Sequence, residues 1–218
     1  MKKVGIIFDL DGVIVNTAGY HYQAWKKLAD QLGIPFDEEQ NEKFKGVSRK
    51  RCLEILLEMG GIEASQEQFD AWLVEKNEDY LSYINQMDAS EILPGVMRVL
   101  NFLKDRQIPM ALGSASKNAR PILGKVNLLP YFEAIVDGNE VSKAKPDPEV
   151  FLIAAEKMKI PSSGCVVFED AVAGIEAACR AGMTSVGIGD ARILGEADYT
   201  FNDFTEIKLD FIKDLIHF

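Results

Sequence analysis

The sequence predicts an α/β protein: a Rossmann-like parallel sheet core wrapped by helices, with an all-helical cap inserted after the first strand. Three observations predict this. From residue 88 onward, short apolar runs alternate with amphipathic helical patterns, which implies right-handed crossovers and a mainly parallel sheet. One further apolar run, Val4-Gly5-Ile6-Ile7-Phe8, stands apart from these near the N-terminus. Between them, residues 17–87 carry helical periodicity and no strand pattern. The expected division is an α/β core of residues 1–16 and 88–218 and a helical cap of residues 17–87.

The first run reads as a buried strand and ends in Asp9-Leu10-Asp11-Gly12. Alternation along an extended chain points Asp9 and Asp11 to one side, and Gly12 permits a sharp turn. Two carboxylates at the end of a buried strand need stabilisation, because an unpartnered charge is costly to desolvate. The stretch alone fits either a solvated acidic turn or a hard-cation site with one carboxylate free to attack an electrophile. A helix is expected from about His21 to Leu32, with Trp25, Leu28, Ala29 and Leu32 on one face, ended by Gly33-Ile34-Pro35. Asp37-Glu38-Glu39 reads as part of a solvated acidic loop. Ser48 is placed to cap a helix from Arg49 to about Met59, broken by Gly60-Gly61. A third cap helix runs from about Gln66 to Tyr83, with Phe69, Trp72, Leu73, Tyr80 and Leu81 as core candidates.

In the second core segment, Val96 to Arg106 reads as an amphipathic helix and Ile108 to Gly113 as a strand. The strand ends in Ser114-Ala115-Ser116-Lys117-Asn118, and a helix follows to about Val126. A short strand within Phe132–Asp137 leads to the loop Lys143-Ala144-Lys145-Pro146-Asp147-Pro148, then a helix to about Met158. Cys165 to Phe168 is a strand ending in Glu169-Asp170; Ala171 to Ala181 is helical. Thr184–Ile188 and Tyr199–Phe201 read as strands and Glu206–Ile216 as the last helix. His217 reads as terminal and inert.

Composition bounds the function. The chain has 218 residues, 47% of them apolar and 27% charged, as in a globular protein that buries a large core. No apolar run is long enough to span a bilayer, and Met1-Lys2-Lys3 opens no signal-peptide pattern, so the expected location is the cytoplasm and no membrane partner is expected. The net charge of −10 and the lack of a basic arm argue against nucleic acid. An anionic substrate would therefore need a locally basic site. Cys52, Cys165 and Cys179 are scattered and odd in number, and read as buried free thiols rather than a disulfide framework or zinc site. A monomer is expected.

Every polar cluster follows an apolar strand or lies near one: Asp9/Asp11, Ser114, Lys145 and Glu169/Asp170. In a parallel sheet these ends share one edge. Several acids gathered there would raise one another's pKa values unless a cation joined them, and Mg²⁺ characteristically bridges few carboxylates to waters and phosphate. Lys145 and the Ser114 hydroxyl supply donors for phosphate oxygens.

This ordered set of motifs resembles the haloacid dehalogenase superfamily over essentially the whole chain. The resemblance implies that Asp9 is a nucleophile forming an aspartyl-phosphate. It implies that Asp11 is the general acid/base, contributing its backbone carbonyl to Mg²⁺, and that Asp9, Glu169 and Asp170 complete the metal site. Ser114 and Lys145 would hold the transferring phosphoryl group. Within that superfamily, Thr17 to Trp25, Phe44-Lys45-Gly46-Val47-Ser48-Arg49 and Ser114 to Asn118 look like the β-phosphoglucomutase branch. That implies interconversion of β-D-glucose 1-phosphate and glucose 6-phosphate through glucose 1,6-bisphosphate, a small sugar phosphate being the partner.

By the same resemblance Lys45, Gly46, Val47 and Ser48 line the sugar. Arg49, Ser116, Lys117 and Asn118 suit a distal phosphate, and Thr17 and His21 sit near the hinge where they could position Asp11. Ala115 and Trp25 belong to the same substrate-binding segments, although the helical spacing of Trp25 reads as core. Asn16 departs from the branch, where an acid often precedes the threonine, and reads as structural. Two other functions compete with the mutase: a sugar-phosphate phosphohydrolase of the same superfamily, and a non-catalytic binding protein, against which the intact Asp9/Asp11 pair argues.

Overall fold

The computed structural model describes residues 4–216, so His217 lies outside the described residues. Six strands form one parallel sheet: β1 (Gly5–Phe8), β2 (Met110–Gly113), β3 (Ala134–Val136), β4 (Cys165–Glu169), β5 (Thr184–Ile188) and β6 (Tyr199–Phe201). Their order is β3-β2-β1-β4-β5-β6, with every pairing parallel. All residues of β1, β2, β3 and β4 are buried, which is why these segments read as continuous apolar runs rather than alternating ones. The winding reverses beside β1, and such a switch point opens a crevice at the carboxyl ends of the strands.

Helices cover both faces. One face packs residues of α5 (Val96–Asp105), α6 (Ala119–Lys125) and α9 (Leu209–Ile216); the other packs α7 (Glu149–Met158) and α8 (Val172–Arg180). Phe8 stacks on Phe168 at 5.1 Å and Phe168 on Phe204 at 5.5 Å. Each buried ring contributes roughly 2–3 kcal/mol by burial, and the stack ties the ends of β1 and β4 together directly below the acidic residues.

Between β1 and α5 the regular structure is helical: α1 (Ala18–Gln31), α2 (Glu38–Glu42), α3 (Arg49–Gly60) and α4 (Gln66–Ile84). These helices bury a cluster of their own, including Trp25, Leu28, Phe36, Phe44, Leu53 and Leu56. The Ser48 side chain caps α3 by accepting from the Arg51 N–H at 3.3 Å, as expected. Ser65 and Gln68 form a reciprocal capping box at the start of α4.

Several local expectations differ from the structure. The acidic stretch after Pro35 is a short helix, because Asp37 and Gln40 close a capping box around Glu38 and Glu39. Helix α1 begins at Ala18 rather than near His21. Its first turn is held by tertiary contacts: the Tyr20 hydroxyl donates to Glu91 at 2.6 Å and its ring stacks on Tyr83. Phe69, Trp72, Leu73 and Leu81 are only half-buried, whereas Tyr80 is buried. Cys52 and Cys165 are buried thiols, but Cys179 is exposed, since the inward face of α8 is occupied by Ala177 and Ala178. Asn16 is exposed and its backbone N–H pairs with the Glu91 carbonyl.

Candidate active site

Three neighbouring strands end at one level. Phe8 pairs with Leu112 on one side and Phe168 on the other, so Asp9, Gly113 and Glu169 follow side by side. The Asp9 N–H donates to the Phe168 carbonyl at 2.9 Å and the Ser114 N–H to the Val136 carbonyl at 3.0 Å, which extends the ladder into the polar residues. Lys145, from the loop between β3 and α7, places its Nζ 2.6 Å from Asp9 Oδ1 and 3.0 Å from Glu169 Oε2. The three side chains are 1%, 7% and 0% exposed. Burial by itself lowers the lysine's pKa, but Asp9 and Glu169 outweigh it and hold the ammonium above its ordinary range.

Asp9, Glu169 and Asp170 each bring an oxygen within 4.8 Å of the others. Burial and then Asp9 push Asp170 up to about 8, and burial pushes Glu169 well above its ordinary value. One lysine against three such carboxylates leaves a surplus of negative charge among oxygen donors. This donor set fits a hard divalent cation such as Mg²⁺. Gly12 makes the approach possible. Its φ is +81°, and a Cβ there would lie 2.2 Å from Asp170 Oδ2.

Asp11 sits beside this cluster and faces the helical block. The Thr17 hydroxyl donates to its Oδ1, and His21 Nε2 lies 3.7 Å from the same oxygen. Burial, then the neighbouring Asp9, push the Asp11 carboxyl up to about 6. Behind His21 stands Lys76, with Nζ 3.0 Å from His21 Nδ1, 4.7 Å from the Trp25 ring centre and 4.8 Å from that of Tyr80. Burial lowers the lysine to about 7, helped by Arg49. Burial and Lys76 also hold His21 well below its ordinary pKa, so the ring is neutral. When Lys76 is protonated, Nδ1 accepts from its ammonium and the ring proton is left on Nε2, toward Asp11. Lys76 is not among the site residues expected from the sequence. Its signal is position: it falls on the stripe between Trp72/Leu73 and Tyr80, where helical spacing calls for an apolar residue.

A cavity of about 350 Å³ separates the sheet edge from the helical block. Asp9, Asp11, Ser114 to Lys117, Lys145 and Asp170 line it from the core; His21, Trp25 and Lys45 to Arg49 line it from the other side. Its walls carry seven cations, Lys45, Arg49, Lys50, Lys76, Lys117, Lys143 and Lys145, against the carboxylates of Asp9, Asp11 and Asp170. A locally basic pocket thus lies in a chain of net charge −10. Thr17, Glu169 and Asn118 are not on the wall. Thr17 and Glu169 are fully buried supports, and Asn118 is joined to Asn77.

The two flanking loops are built to present donors. The Ser114 and Ser116 hydroxyl oxygens accept backbone N–H groups of Ser116 and Asn118 at 3.1 and 3.2 Å, leaving their own hydrogens to donate. Gly46 has φ +70°, and a Cβ there would lie 2.9 Å from the Ala171 Cβ, so glycine lets this loop close on the core. Beneath it, the Cys52 thiol points at the Phe44 and Val47 carbonyls at 3.7 Å, and burial pushes it up to about 12. Ser48 spends its oxygen on capping α3, and Lys45 pairs with Glu42 at 2.9 Å. Arg49 has no carboxylate partner among the described residues, although burial holds its pKa below the ordinary value.

A parallel sheet of this order, with a buried lysine paired to two carboxylates and three carboxylate oxygens gathered at its switch point, is the frame of an α/β enzyme. The chain belongs to the haloacid dehalogenase-like hydrolase family, whose family model matches residues 4–182. The β-phosphoglucomutase of Bacillus subtilis strain 168 is 40% identical over 211 residues, which are 96% of this chain and 93% of that protein. A phosphorylated carbohydrates phosphatase of Thermotoga maritima is 32% identical over 218 residues, covering 97% of this chain and 99% of its own. The 2.27 Å crystal structure of a β-phosphoglucomutase from Clostridium difficile superposes with a TM-score of 0.94 at 38% identity, over 99% of this chain and 97% of that one.

Proposed function

We propose that this enzyme interconverts β-D-glucose 1-phosphate and glucose 6-phosphate, through an aspartyl-phosphate on Asp9 and glucose 1,6-bisphosphate. The observation that carries the reading is one cavity that gathers more anion donors than a single phosphoryl group at Asp9 needs. Lys145 stands 2.6 Å from Asp9, and Ser114, Arg49, Ser116 and Lys117 line the same cavity. We read these donors as two anion-binding poles, both of which a substrate that must present either phosphate to Asp9 needs. The β-phosphoglucomutase relatives support the same reading.

Asp9, Glu169, Asp170 and the backbone carbonyl of Asp11 would hold Mg²⁺, which when bound supplies positive charge against the phosphoryl oxygens. An Asp9 oxygen attacks phosphorus as the bond from phosphorus to the sugar oxygen breaks, and Asp11 gives that oxygen its proton. In return, Asp11 takes the proton of the free hydroxyl of an incoming β-D-glucose 1-phosphate as that oxygen attacks the aspartyl-phosphate, which forms glucose 1,6-bisphosphate and frees Asp9. Lys145 and Ser114 hold the phosphoryl oxygens, and Thr17 and His21 orient Asp11. Arg49, Ser116, Lys117 and Asn118 take the distal phosphate. Trp25, Lys45, Gly46, Val47, Ser48 and Ala115 surround the sugar. Residues 17–87 act as the cap and residues 1–16 with 88–218 as the core, and closing the cap excludes water from the aspartyl-phosphate. No helix among the described residues is long and apolar enough to cross a membrane, and we place the reaction in the cytoplasm.

A phosphohydrolase acting on sugar phosphates is the second reading, favoured by the Thermotoga maritima relative. ³¹P NMR with Mg²⁺, β-glucose 1-phosphate and a trace of glucose 1,6-bisphosphate separates the two. Growth of glucose 6-phosphate without inorganic phosphate supports the mutase. Growth of inorganic phosphate alone refutes it and transfers the site to the hydrolase.

A further inference from the structure

Helix α4 is fastened to the core at two points. Asn77 Oδ1 accepts from Asn118 Nδ2 at 3.0 Å. Eight positions later, the Asn85 carbonyl accepts from Lys125 Nζ, also at 3.0 Å. Asn118 is the N-cap of α6 and Lys125 its last residue. At 1.5 Å per residue the two intervals span about 12 and 10 Å. Two hydrogen bonds thus pin the last turns of α4 to the two ends of α6. The Asn85 end adjoins the segment returning to the core; the Asn77 end is farther from it.

The far pin also steadies a donor loop. Asn118 does not line the cavity, but its backbone N–H is bonded to Ser116 Oγ, and Ser116 and Lys117 do line it. With its side chain bonded to Asn77, Asn118 is held at both backbone and carboxamide, which fixes this end of the loop. Without Asn77 the loop loses its tie to α4. Asn77 has a further neighbour of consequence. Lys76, one residue earlier, meets His21, which faces Asp11. Two consecutive residues of one helix thus reach the acid/base side of the cavity and the loop at its other pole.

We infer that Asn77 is a positioning residue for the distal phosphate of a phosphorylated sugar: by holding Asn118 it fixes the Ser116–Lys117 loop at the cavity and clasps α4 over the occupied site. The inference rests on the mutase reading. Asn77 touches neither Asp9 nor the transferring group, so its loss weakens recognition of the distal phosphate while phosphoryl transfer from a donor lacking one continues.

The test compares wild type, Asn77→Ala, Asn118→Ala and the double variant. Expected for Asn77→Ala is a rise of roughly tenfold in KM for β-glucose 1-phosphate at saturating bisphosphate, the scale of one hydrogen bond to a charged group. More inorganic phosphate should also be released per glucose 6-phosphate formed. Turnover of p-nitrophenyl phosphate, which has no distal phosphate, should stay within twofold, which also shows that the variant folds. The double variant should be no worse than Asn118→Ala alone. The inference is overturned by an unchanged KM, by equal losses with both substrates, or by additive effects in the double variant. If the wild type makes glucose 6-phosphate, any of these outcomes removes the clasp and leaves the mutase standing. Release of inorganic phosphate alone by the wild type removes both.

Discussion

Replacing Lys76 with Met probes the electrostatics of the helical block at a residue that is 1% exposed. The two side chains are similar in length, so packing against Trp25 and Tyr80 is kept while the charge is lost. The folded lysine titrates at about 7 against an ordinary value of 10.5. At 1.36 kcal/mol per pH unit, that corresponds to about 5 kcal/mol opposing folding when the group is charged. The cation–π contacts offset about 1–2 kcal/mol, and the His21 hydrogen bond about 1 kcal/mol more. A net gain of roughly 2–3 kcal/mol remains for the Met variant, or a melting temperature higher by roughly 4–12 °C at pH 6.

The sign follows from linkage. The unfolded chain binds this proton more tightly, so the penalty is complete below about pH 7 and fades as the pH rises toward 10.5. Thermal melts of both proteins from pH 6 to 9.5 should show the gap closing with pH. Activity should fall at least tenfold, because His21 loses the ammonium that fixes its tautomer. A Met variant that melts below wild type at pH 6, or a gap that does not change with pH, refutes the assignment of Lys76 as a buried, destabilising cation.

Other perturbations address the sheet edge. Lys145→Met strands the buried Asp9 and Glu169 carboxylates and should cost about 3–5 kcal/mol, with Mg²⁺ restoring part; unchanged melting without metal contradicts the pairing. Gly12→Ala forces a Cβ against Asp170 at a φ of +81°. Mg²⁺ half-saturation in an activity titration should rise at least tenfold in a protein with unchanged circular dichroism, and an unaltered titration removes the metal role of Asp170. With the Asp11 carboxyl at about 6, transfer from sugar to Asp9 needs the proton and should slow as pH rises through that value. Transfer from Asp9 to a hydroxyl needs the ionised form and should quicken. Rapid-quench measurement of the half-reactions checks this, and rates moving in the same direction disprove it.

The family comparison and the sheet show why so much was legible in the chain. Asp9, Ser114 and Glu169 announce themselves because each follows a continuous apolar run, and only a strand buried on both faces tolerates such a run. Parallel connectivity then forces these ends to one edge, so convergence of the acids follows from topology without coordinates. Ser48 and Gly60-Gly61 mark helix ends through local chemistry alone. What the chain by itself determined was therefore the fold class, the motifs and the edge that carries them.

Tertiary structure decided the rest, because the deciding partners lie far apart in sequence. Lys76 is buried only because His21, 55 residues away, and the rings of Trp25 and Tyr80 surround its ammonium; its local pattern says only that a lysine interrupts a stripe. The first turn of α1 depends on Glu91, 71 residues from Tyr20. Asn77 and Asn118 are 41 residues apart, and neither shows which polar side chain faces it until α4 lies beside α6. Periodicity records which face of an element is apolar; it does not record which polar group from a distant element will satisfy an exception on that face.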